Sequence, residues 1–148
     1  MQTLTPAHMA SLMQLSGLKS FGDVSFTPNA LPYLSSIRKL DNLFVNGVYR
    51  APLLSAAPLV SYLANCLNLK IVMFSGFSLT RQDVTVLGTS IGPLLTALLF
   101  EFCTFETLQP LSISTTLTKL DFWCCSELHV SDMHLRKYPR SDVCQSRY

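Results

Sequence analysis

Two stretches, "LTALLFEFCTF" (residues 95–105) and "LTKLDFWCCSE" (residues 117–127), align without a gap. In an eleven-place frame, Leu95, Leu98, Phe100, Cys103 and Phe105 fall at places one, four, six, nine and eleven, and Leu117, Leu120, Phe122 and Cys125 repeat the first four. Upstream, "LKIVMFSGFSL" (69–79) sets Leu69, Val72, Phe74, Phe77 and Leu79 in the same places. "LDNLFVNGVYR" (40–50) supplies Leu40, Leu43, Val45 and Val48, then departs with Arg50 at place eleven; Glu127 breaks the last copy at the same place. Apolar residues at four and six with variable ones between them have the period of a strand buried on one face. A fifth copy, "FGDVSFTPNAL" from Phe21 with Asn29 at place nine, starts 19 residues before the next.

Copies starting at 40, 69, 95 and 117 are spaced by 29, 26 and 22 residues. Motif and spacing resemble the leucine-rich repeat family, L-x-x-L-x-L-x-x-N/C-x-L in units of about 20–29 residues. Cysteine at place nine and the longer spacings are similar to its ribonuclease-inhibitor-like and cysteine-containing subtypes, whose units pair a strand with a helix. The resemblance covers residues 40–128. It implies an α/β fold, a short solenoid with parallel strands on a concave face and helices or turns on the convex face. Residues 1–39 are then an N-terminal helical segment with a divergent first repeat, and 129–148 a polar basic tail or cap. Terminal units of such arrays need polar outer faces; an array this short and apolar is expected to be a fragment, or a divergent relative, of a longer repeat protein.

Between the strands the period turns helical. In "PLVSYLANCL", Leu59, Leu63, Cys66 and Leu67 share one face behind Pro58, a residue suited to a first helical position. Thr80 and Asp83 form a capping-box-like start for Val84, Leu87 and Ile91, and the Gly88 among them costs a helix about 1 kcal/mol against Ala. The connection "ETLQPLSISTT" has room for a turn or two, while Thr5-Pro6 opens a first helix and Gly17 closes it.

Composition bounds the function. With 148 residues, 49% of them hydrophobic and 14% charged, and a mean hydropathy of +0.33, the chain forms one domain with ample apolar surface. Seven basic and seven acidic side chains cancel over residues 1–128, so the net charge of +2 comes from the tail, where Arg136, Lys137, Arg140 and Arg147 face Asp132 and Asp142. Nucleic-acid binding needs a basic stripe, and none is present. No basic residue precedes Lys19 to open a secretory signal, no N-x-S/T sequon occurs, and five cysteines are an odd number, so a reducing, cytoplasmic setting is expected. Uncharged runs at 51–69 and 84–100 approach the length of membrane spans, and a membrane-associated protein is the alternative they define. Pro52, Pro58, Asn65 and Asn68 in the first run, and Gly88, Gly92 and Pro93 in the second, argue against it.

No catalytic constellation emerges. There is no phosphate-cradling glycine loop and no H-E-x-x-H, and no Asp or Asn can be set beside a Cys–His pair that would include His8. Cys124 or Cys125 with His129, His134 and Cys144 lacks the C-x-x-C spacing that aims two thiolates at one zinc or makes a redox pair. Neither a metal nor a cofactor is expected. The resemblance instead implies that Cys103 and Cys125 are structural repeat positions pointing inward, with Cys124 at place eight beside the outward face.

The same register lines up columns of solvent-facing residues about 4.8 Å apart. Place three reads Asn42, Ile71, Ala97, Lys119; place five Phe44, Met73, Leu99, Asp121; place seven Asn46, Ser75, Glu101, Trp123; Phe102 and Cys124 stand at place eight. Phe44, Met73 and Leu99, ending beside Lys119, Asp121 and Trp123, are the expected partner-binding residues. The competing reading is that further protein covers them, or that they are surface variation. The expected function is a non-enzymatic module binding a protein of unknown identity through the concave face. Family members serve as signalling scaffolds and as substrate receptors of ubiquitin ligases; the second role is a further alternative, with no adaptor-binding box ahead of the repeats to promote it.

Overall fold

A computed structural model describes residues 2–37, 39–47, 52–91, 94–113, 116–125 and 143–144. Seven strands form one wholly parallel sheet: β1 (Gln2–Leu4), β2 (Ser20–Phe26), β3 (Asn42–Asn46), β5 (Ile71–Ser75), β7 (Ala97–Glu101), β9 (Lys119–Trp123) and β10 (Val143–Cys144), side by side in chain order. A smaller parallel sheet joins β4 (Leu54–Ser55), β6 (Phe77–Leu79) and β8 (Thr104–Phe105). Helices α1 (Pro6–Met13), α2 (Ala57–Leu63) and α3 (Arg81–Val86), and 3-10 segments Pro28–Ser36 and Gln109–Ile113, connect the strands. The fold is α/β.

Pairing across β3, β5, β7 and β9 is in step. Leu43, Val72, Leu98 and Leu120 are mutual neighbours at place four, and Val45, Phe74, Phe100 and Phe122 at place six. All eight are buried. They form one core with Leu40, Leu69, Leu95 and Leu117 and with the helix residues Leu59, Leu63, Val84 and Leu87. Phe74, Phe100 and Phe122 stack with ring centres 5.6 and 5.5 Å apart and planes within 14°. Phe105 meets Phe100 and Phe122 edge-on.

At the head of each strand one carbonyl receives two N–H groups from the next. Lys19 O accepts from Asp41 and Asn42, Asp41 O from Lys70 and Ile71, Lys70 O from Thr96 and Ala97, and Thr96 O from Thr118 and Lys119. This ladder corrects the register expected for the first copy. Lys19 occupies place two, so the unit starts at Leu18 and not at Phe21, and Phe21 pairs with Leu43 at place four. Val24, expected at place four, pairs with Val45 at place six. Between them β2 carries a bulge, one residue more than its partner, with Asp23 in the left-handed region at φ 55°.

The connections follow local chemistry. The Thr80 side chain caps the Asp83 N–H while the Asp83 carboxylate accepts from the Thr80 N–H at 2.9 Å, the reciprocal box expected for α3. α3 then widens into a π turn, Leu87–Ile91. α1 starts after Thr5 as expected but ends at Met13, short of Gly17. α2 begins one residue before Pro58 and stops at Leu63, so Leu67, expected on its buried face, is 72% exposed.

The uncharged runs at 51–69 and 84–100 are thereby divided among short elements. The seven residues of α2 extend only about 10 Å at 1.5 Å each. Among the described residues no helix is long and apolar enough to cross a membrane. The expected cap at 129–148, apart from the backbone of Val143–Cys144, lies outside the described residues, as do Val48, Arg50, Glu127, His129 and His134.

Candidate functional site

Alternation along β3, β5, β7 and β9 sends places four and six to the core and places three, five and seven to the opposite face of the sheet. Phe44, Met73 and Leu99 are therefore adjacent at place five, and each is half-buried. Met73, Leu99, Phe100, Asp121 and Trp123 surround one hollow of about 40 Å³. Four of the six expected partner-binding residues thus meet around a single depression. Phe44 extends the apolar row on the side of Met73, and Lys119 lies beside Asp121.

Exposure on this face departs from expectation in three places. Asp121, expected to face solvent, is only 7% exposed, with Lys119 Nζ at 3.0 Å from its Oδ2. Ala97 is buried because its methyl pairs between the longer side chains of Ile71 and Lys119. Ser75 is buried between Asn46 and Glu101, and its hydroxyl donates to Glu101 Oε2 at 3.0 Å. Trp123 is 50% exposed and pairs directly with Glu101 on β7.

At place eight, Gly76, Phe102 and Cys124 adopt φ of 76°, 51° and 51°. Left-handed backbone costs a side chain roughly 1–2 kcal/mol, yet Phe102 is held there with 41% of its surface exposed. The Phe102 N–H donates to Trp123 O at 2.9 Å, binding the strand ends together. Phe102 is an exposed aromatic at the place where the preceding stretch has Gly76.

Of the two cysteines at place nine, Cys103 is buried and Cys125 half-buried. Cys103 Sγ lies 3.4 and 3.3 Å from Phe74 O and Glu101 O, and Cys125 Sγ 3.5 Å from both Phe100 O and Trp123 O, so each thiol's single proton has carbonyl acceptors within reach. Each thiol bridges its own strand to the preceding one. Their side chains also meet, so that Cys103, hydrogen-bonded to Cys125 and fully buried, keeps its proton well above the usual thiol range. Cys125, receiving that hydrogen bond, is lowered. Cys125 is half-buried, the same class as Cys124, so the pair differs in direction more than in depth.

Among the described residues, two larger clefts lie elsewhere. One of about 330 Å³ is lined by Met13, Leu15, Leu18, Ile37 and Lys39; another of about 260 Å³ by Phe26, Leu31, Leu54, Leu59 and Phe77. Among the described residues, Lys39 is the only titratable side chain lining either, and no acid–base pair lines them. His8 is occupied in the α1 cap, its Nδ1 accepting from the Thr5 N–H at 3.2 Å. Among the described residues no three His, Cys, Asp or Glu side chains are placed to hold a metal ion. No protein-family model matches the chain, and no curated protein matches it.

Proposed function

We propose that this chain is a leucine-rich-repeat-like solenoid acting as a non-enzymatic, cytoplasmic interaction module, a scaffold that takes a protein partner on the concave face of its main sheet. The observation that carries this reading is the clustering of Met73, Leu99, Asp121 and Trp123 about one hollow, with Phe44 continuing the row. A half-exposed Trp over an apolar floor is the residue pattern of interface hot spots. A depression of about 40 Å³ is far below the roughly 300–1,000 Å³ of small-molecule sites. It suits one inserted side chain from a larger surface. The cytoplasmic setting is supported by the thiols of Cys66, Cys103, Cys124 and Cys125, none of which is in a disulfide.

Proteins captured from a cytosolic extract by the wild-type chain test the reading. Met73→Asp and Leu99→Asp set a charge into the apolar row, and each should weaken the retained partner by about ten-fold or more, with circular dichroism unchanged. A partner that binds both variants with unaltered affinity removes the concave face from consideration.

A further inference from the structure

Among the described residues, the face set out above is apolar in its middle and its unpaired charge is negative. Asp121 is neutralised by Lys119, while Glu101 stands half-buried with the neutral Ser75 hydroxyl as its hydrogen-bond donor. Asp23, accepting from Asn46 Nδ2, adds a second carboxylate farther along the same strand ends. Trp123, half-exposed, lies directly across from Glu101 in the register, and the hollow beside it opens onto Met73 and Leu99. The geometry points to an arginine side chain, presented by an extended segment of a partner protein, as the group this face takes; the inference rests on the docking role proposed above.

Each part of an arginine has its counterpart here. A hollow of about 40 Å³ has room for a methylene or two of an alkyl stem, the rest lying along the apolar row, and not for a ring system. The planar guanidinium stacks on the Trp123 indole and directs its fork of donors at the Glu101 carboxylate about one strand spacing away. A lysine has the stem and the charge but lacks the plane and the fork. Phosphates of nucleic acid or lipid would be repelled by the same carboxylate. A second copy docking by two-fold symmetry sets one residue against a different one, and Lys119, the cation this face would offer Glu101 of the other copy, is already paired with Asp121.

Trp123 is the only Trp in the chain, so its fluorescence reports this position without labelling. Titration with the blocked peptide acetyl-Leu-Arg-Leu-Arg-Leu-Arg-amide should give a saturable change in emission. The same peptide with Lys for Arg should bind several-fold more weakly, and with Glu for Arg should give no response. Glu101→Gln, which keeps the Ser75 contact, should weaken the Arg peptide by about ten-fold, and added salt should weaken it further. Equal responses to the Arg and Glu peptides, both lost in Met73→Asp, would overturn the arginine assignment while leaving the docking face intact. Silence of Trp123 toward the Arg peptide also overturns it; if silence accompanies concentration-dependent dimerisation, the occupant is a second copy, and otherwise the face is closed to arginine. The docking role fails separately, by captured partners indifferent to Met73→Asp and Leu99→Asp.

Discussion

Cys124 and Cys125 share a peptide bond but not an environment, because left-handed backbone at Cys124 swings the next residue inward. That Cys125 is the counterpart of Cys103 was legible from the shared frame, since each stands at place nine of a stretch that opens on leucine. The turn's conformation was less so: glycine is the usual mark of positive φ, and of the place-eight residues only Gly76 among those at positive φ carries it. Cys66 offers the clearest test at this scale. Burial lifts its thiol from 9.0 to about 11. Below about pH 9 both folded and unfolded chains keep that proton; between 9 and 11 the unfolded chain releases it first, so stability is intact below the window and falls as pH rises through it. At about pH 10.5 the loss attributable to this thiol is about 2 kcal/mol. Urea unfolding at pH 8 and 10.5 should show Cys66→Ala losing about that much less than wild type on the shift. An identical alkaline loss in both proteins would show that the Cys66 thiol does not carry it.

Among the elements, the Thr80–Asp83 box was readable because its two partners are fixed by spacing alone. Gly88 was readable only as a cost to a helix, and its role depends on a segment some twenty residues away. A Cβ at Gly88 would lie 2.5 Å from Pro110 O, where the π turn crosses the 3-10 segment Gln109–Ile113. Propensity and contact therefore predict opposite signs for Gly88→Ala, and backbone cannot yield as a flexible side chain would. The variant should lose about 1–3 kcal/mol in urea unfolding. Gly17, with nothing within 4 Å of its added Cβ, is the control, and Gly17→Ala should be neutral or gain up to about 1 kcal/mol. A stabilised Gly88→Ala would mean that helix propensity outweighs that crossing. The bulge in β2 escaped the sequence for a similar reason: Phe21 and Val24 satisfy the motif by spacing, and only pairing with β3 shows that one residue is extra.

For the whole molecule, the α/β class and the columns of Met73–Leu99–Asp121 and Ser75–Glu101–Trp123 were legible because strand alternation and copy spacing determine both. β1 was not, since three residues, Gln2–Leu4, show no period to read, and burial of Asp121 depends on where Lys119 reaches. Phe100 decides how strongly the units depend on one another. It is 1% exposed and stacks between Phe74 and Phe122, with Phe105 against its edge. Phe100→Ala should cost about 3–5 kcal/mol, a large part of the 5–15 kcal/mol typical of a domain. If the single core couples all the strands, Trp123 emission and far-UV circular dichroism will give coincident urea transitions. Both should then fall by about 2 M in Phe100→Ala, for a slope of about 2 kcal/mol/M. Were the units only loosely joined, the Trp123 transition on β9 would shift while dichroism from the earlier strands and α2 stayed in place. That outcome would refute one cooperative core and confine the effect of Phe100 to its two neighbours.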